Sequence, residues 1–295
     1  MTWINQNKSP IFQRTFFQEP WSVFILVALV GLRIFYLGGI RLFTRPDYPD
    51  WLLPSEMFLT YLLTASLIYL QRDHLVDFHI TRVSLLLFIC APILEPLLSL
   101  LMHEWIQWPY SNLFRISVGI VAIVLSAFIF ISRKDIKLSH DRFQWILLSL
   151  IFGVFMAFAY GLYIEFSDFG RIGVRDVILK PPATLSNAVV LLSAQLVNAS
   201  IMEEPLFRGF LWGYLRKWGL TDIKILVVQT ILFWMAHIYY LGQVAFSFWI
   251  LVPTAGIVFG ILAWRSRSIA PSIIAHAIVN GLTQIVSSRT LYFWW

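Results

Sequence analysis

Five ionisable side chains in the last third of a very apolar chain could together perform acid–base chemistry. The run Met202-Glu203-Glu204-Pro205-Leu206-Phe207-Arg208-Gly209 places two carboxylates and a guanidinium beside an apolar stretch. On a helix, Glu204 and Arg208 are i,i+4 neighbours and can pair. Glu203 is turned about 100° away, so Arg208 can hold one carboxylate while the other faces a different partner. His237 and His276 also lie in apolar helical stretches. A lone histidine in such a place is ordinarily a packing residue. Two of them, with a carboxylate pair on a third helix, can support acid–base chemistry or bind a metal. Phe233 precedes His237 by four residues, so its ring can wall one side of the imidazole. Asn280 follows His276 by four, so both can donate to one developing oxyanion. Asn280 hydrogen-bonding a neighbouring helix is the plainer use of that amide. The remaining histidines, His74, His79, His103 and His140, fall in or beside polar connections and are expected to be solvated or interfacial.

Positioning these groups falls to a membrane bundle. The chain has 295 residues, of which 59% are hydrophobic and 13% charged, against about 25% charged in a soluble domain. Nine apolar blocks, at 21–42, 51–70, 83–102, 113–131, 143–164, 186–207, 223–240, 246–263 and 269–286, are each long enough to read as spans. Each must be helical, because a lipid-exposed backbone has to satisfy its own hydrogen bonds. The fold class is therefore all-α, a polytopic transmembrane bundle of about nine spans. The 13 Trp and 11 Tyr suit the membrane interfaces. The net charge of +6 does not imply nucleic acid, since the basic residues sit in short loops where they set topology or touch anionic lipid. Thirteen basic loop residues fall on the side of the N-terminus and seven on the other, so the N-terminus is expected inside. Cys90 is the single cysteine, which excludes a disulfide within the chain.

Two charges deeper in the chain, Arg33 and Glu95, fall at similar depth in the first and third spans and are expected to form a structural ion pair. The span boundaries also set a problem. Glu203 lies near the inner end of its span, whereas His237 lies fourteen residues into the next, about 21 Å by helical rise. For them to share a water, the sixth helix must run on through Leu215.

Glu203-Glu204-x-x-x-Arg208, Phe233-x-x-x-His237 and His276-x-x-x-Asn280, in that order on three apolar helices, resemble the CAAX protease and bacteriocin-processing family of intramembrane peptidases. The resemblance covers roughly 186–286. It divides the chain into N-terminal helices without signature, 1–180, and a catalytic region, 181–295. It implies that Glu203 and His237 activate a water, that His276 and Asn280 stabilise the oxyanion, and that Glu204 and Arg208 support them. A carboxylate in a low-dielectric site can act as a base without metal. One Glu and two His also match a three-ligand zinc site with an open position, so Zn²⁺ remains the alternative cofactor, although His-Glu-x-x-His is absent. The implied partners are the bilayer and a membrane-associated peptide or protein substrate, and the expected location is a prokaryotic cytoplasmic membrane. The family also includes bacteriocin self-immunity proteins, which keeps a non-catalytic scaffold open. A proton-coupled transporter would need inverted repeats, and none is visible.

Overall fold

The computed structural model describes residues 20–39, 52–102, 121, 143–166, 185–242 and 245–286. Every described segment is helix or short turn, with no strand among the described residues. The helices are α1, Pro20–Gly31, continued by a wide π-type turn at Leu32–Gly39; α2, Leu52–Leu70; α3, Arg82–Met102; and α4, Phe143–Phe166. Then α5 begins at Leu185–Val197, passes through π-type turns at Asn198–Glu203 and Pro205–Leu211, and ends in Trp212–Lys217. Next come α6, Asp222–Met235; α7, Val252–Ser266, led in by Ser247–Leu251; and α8, Ala270–Val286. Eight of the nine expected spans thus have a helix. The expected span at 113–131 lies, apart from residue 121, outside the described residues. Three helical stretches, Arg82–Met102, Phe143–Tyr163 and Ser247–Ser266, have both the length and the apolar composition to cross a membrane.

The bundle wears its hydrophobic residues outward as well as inward. On α4, Leu147, Ile151, Phe155 and Phe158 are exposed, while Gly153, Met156, Ala157 and Tyr160 are buried. A helix apolar on all sides is what lipid on one face and protein on the other require. Gly153 lets α4 lie close along α8, since a Cβ there would meet Ile278 at 3.0 Å. α3 packs along α5, and α6 against α7.

Helix α5 runs through the middle of the molecule, with Phe207, Arg208, Phe210 and Trp212 fully buried. It continues to Lys217, past Leu215, as the shared-water argument demands. Its wide turns have a local cause. Pro205 has no N–H and its ring crowds the preceding turn, so the helix loosens around it. The C-terminal end of α5 is anchored by the short 3₁₀ turn Leu75–Phe78. Gly209 and Gly213 make room for it. A Cβ on Gly213 would fall 2.3 Å from Phe78 Cδ1, and one on Gly209 would fall 3.1 Å from the Phe78 carbonyl.

His79, next in line, is buried, against the expectation that it is solvated. It adopts φ 57, its carbonyl accepts the Ile269 N–H at 2.9 Å, and Nε2 lies 3.3 Å from Arg216 Nη1. Burial pushes its pKa down to about 3, and the nearby Arg216 and Arg267 push the same way. The connections after the second, sixth and eighth expected spans therefore meet at one end of the bundle. A nine-span topology requires that of them.

Candidate active site

Two consecutive carboxylates on α5 are held by different partners, because the helix turns them to different sides. Glu204 Oε1 accepts from Arg208 Nη1 at 3.0 Å and from His276 Nδ1 at 2.8 Å. The first contact is the expected i,i+4 pair, and both its members are fully buried. Arg208 is also boxed by rings. Its guanidinium carbon lies 4.0 Å from the centre of Phe233, 5.6 Å from Phe259 and 5.9 Å from Phe207. Aromatic faces and one carboxylate are what a desolvated guanidinium needs.

Glu203 is served from elsewhere. Its Oε1 accepts from Arg33 Nη2, while Oε2 lies 3.8 Å from both His237 Nε2 and His276 Nε2. That distance exceeds direct hydrogen-bond reach. Oε2 is buried and has no hydrogen-bond partner among the described residues.

The imidazoles are oriented from behind. His237 Nδ1 donates to the Phe233 carbonyl at 2.7 Å, and His276 Nδ1 donates to the Glu204 carboxylate. With both Nδ1 atoms carrying hydrogen, both Nε2 atoms turn toward Glu203. Phe233 walls His237 as expected, with ring centroids 4.6 Å apart, and Phe259 stacks on His276 at 4.9 Å.

Two expectations need correction. His237 is not inside a helix. α6 stops at Met235, and the His237 N–H bonds the Trp234 carbonyl in a tighter turn. The Phe233 carbonyl, freed from the helical ladder, becomes the acceptor that orients the ring. Arg33 does not pair with Glu95. Its Nη1 donates to Glu56 Oε1 at 3.1 Å and its Nη2 to Glu203, while Glu95 accepts from Ser99 at 3.2 Å. Matching depth put Arg33 and Glu95 on one level, but the level is a plane, and Glu203 stands nearer in it. Asn280 makes no hydrogen bond to the carboxylates or imidazoles. Its Nδ2 donates to Gln195 Oε1, one helix over, at 3.3 Å.

The depth problem is resolved by the long α5. Glu203 lies fourteen residues from the C-terminal end of α5 at Lys217, and His237 lies fifteen residues from the start of α6 at Asp222. Both are therefore roughly 20 Å from that end by helical rise. Glu56, Gln195 and Phe259 were not legible as site residues. The available signal for Glu56 was its own place, an acidic residue inside the expected span 51–70.

For a zinc ion, the relevant atoms are Glu203 Oε2 and the two Nε2. Two ligands of one tetrahedral zinc stand roughly 3.3 Å apart, closer than the 3.8 Å here. Among the described residues, no three His, Cys, Asp or Glu are grouped as a metal would hold them. The carboxylate also already carries a guanidinium.

Residues 185–282 match the family model described as type II CAAX prenyl endopeptidase Rce1-like. This region is similar to the CAAX protease and bacteriocin-processing family, the one its three motifs resemble. The match takes in Glu203, Glu204, Arg208, Phe233, His237, His276 and Asn280, and leaves out Arg33 and Glu56. It supports a CAAX-protease-type peptidase acting in the membrane on a membrane-associated peptide. No curated protein and no solved structure matches the chain.

Proposed function

We propose that the protein is a metal-independent intramembrane endopeptidase in which Glu203 is the general base. The observation that carries this reading is the convergence of Glu203 Oε2, His237 Nε2 and His276 Nε2 in a buried site. A water donating to Glu203 Oε2 and His237 Nε2 is held by two acceptors and keeps a lone pair for attack. His276 donates its Nδ1–H to Glu204, so a protonated ring also offers Nε2–H to an oxyanion.

The water oxygen attacks the peptide carbonyl carbon, and its proton passes to Glu203. The carbonyl oxygen becomes an oxyanion facing His276 and Asn280. Asn280 carries two amide hydrogens, one on Gln195 and one for the oxyanion. The carbon–nitrogen bond then breaks, and the proton on Glu203 moves to the leaving nitrogen. Products are a carboxylic acid and an amine, which exchange a proton to become carboxylate and ammonium. The supporting roles fall to Glu204, Arg208 and Phe233, and the setting is a prokaryotic cytoplasmic membrane.

Comparative proteomics of membrane fractions tests the reading, with cells carrying the wild-type protein set against cells carrying Glu203→Gln. We expect at least one membrane protein to keep an uncut segment in the variant cells. Identical peptide patterns at equal protein levels would contradict the reading and favour the scaffold alternative.

A further inference from the structure

The charge that faces Glu203 comes from outside the family match. Arg208, the guanidinium inside the matched segment, is taken by Glu204. Glu203 is met instead by Arg33 of α1, and Arg33 is met by Glu56 of α2. Thr60, one turn along α2, donates to the same Glu56 oxygen at 3.4 Å. All four side chains are buried. A charged chain of this kind is a costly way to join three helices, since apolar contacts pack as well without the desolvation. It has a directional effect that apolar contacts lack. Binding Oε1 fixes the rotation of the carboxylate, and the free oxygen, Oε2, then stands equally distant from the two imidazoles.

We infer that Arg33, braced by Glu56, is the positioning residue of Glu203, so that α1 and α2 complete the active site. This rests on the peptidase reading above. Arg33 acts through Glu203, by holding one oxygen so that the other can take a proton. Arginine suits the task, because its planar fork binds two carboxylates in fixed directions. A lysine keeps the charge and loses the fork.

The test uses full-length protein in detergent: wild type, Arg33→Gln, Arg33→Lys, Glu56→Gln, Glu203→Gln and the double Arg33→Gln/Glu203→Gln. Turnover is read on a synthetic peptide spanning the cut site found by the membrane comparison, and thermal unfolding is read in parallel. We expect Arg33→Gln to lower kcat about 10²-fold with KM within about twofold, since misplacing a catalytic group acts on the chemical step. Arg33→Lys should recover part of that loss, and Glu56→Gln should show a smaller one. In unfolding, the two single losses should together exceed that of the double variant, because the groups are coupled. Wild-type kcat in Arg33→Gln beside an inactive Glu203→Gln overturns the inference and leaves the peptidase reading standing. An active Glu203→Gln overturns that reading, and with it this role for Arg33, while the unfolding cycle still reports whether the pair exists. If Arg33→Gln does not fold, unchanged kcat in both Arg33→Lys and Glu56→Gln overturns the inference.

Discussion

Adjacent residues in this protein do different work, and substitutions should separate them. Glu203→Gln keeps the shape and removes the base, so cleavage should fall by about 10²–10⁴ while the protein stays folded, as read by turnover and thermal unfolding. Glu204→Gln strips the fully buried Arg208 of its carboxylate and loosens His276. Its loss should appear chiefly as stability, about 3–5 kcal/mol if nothing replaces the contact, measured by chemical unfolding. Asn280→Ala should cut kcat by about 10²–10³ with little change in KM, since an oxyanion contact strengthens only at the transition state. The pairing of Glu204 with Arg208 was legible because i,i+4 spacing is a local rule. The Glu203 contact with Arg33 was not, because it joins residues 170 positions apart and no periodicity encodes which helices become neighbours. Gln195 escaped for the same reason, since its partner Asn280 lies 85 residues away.

At the scale of helices, the wide turns around Pro205 and the early stop of α6 are what bring the residues into register. The long α5 could be argued from the sequence, since a shared water fixed the depth at which Glu203 had to sit. The stop at Met235 could not, because residues 225–236 are largely apolar and carry no glycine or proline before His237. The C-terminal end of α5 offers two measurements. Gly213→Ala drives a Cβ into the fully buried Phe78 ring and should lower stability by about 1–3 kcal/mol, as for other overpacked cores. His79 gives the protein a pH dependence. Its folded-state pKa of about 3 lies below the ordinary 6.5, so between those values the unfolded chain binds the extra proton. Stability should therefore fall as pH drops below about 6.5, and His79→Asn, which tolerates the left-handed backbone, should flatten that slope in unfolding melts.

As a whole molecule, the protein brings residues 71–81, 216–222 and 266–269 together at one end of its bundle. Cysteines introduced at Asp73 and Trp218 in a Cys90-free background should be labelled from the same side, and from inside if the thirteen-to-seven basic bias sets orientation. Labelling from opposite sides would break the topology. The all-helical bundle was legible from composition alone, because few arrangements satisfy a backbone in lipid. The share of the site carried by the first two helices was not, since they bear no motif and their contribution exists only once the bundle closes. The central claim is that this bundle hydrolyses peptide bonds through Glu203 without metal. The most direct measurement is cleavage of the cut-site peptide by purified wild type and Glu203→Gln, each before and after chelation, with bound metal counted. The account predicts wild-type cleavage that survives chelation, no stoichiometric metal, and a folded, inactive Glu203→Gln. One tightly held zinc per chain, with activity lost on its removal and restored on its return, would contradict it.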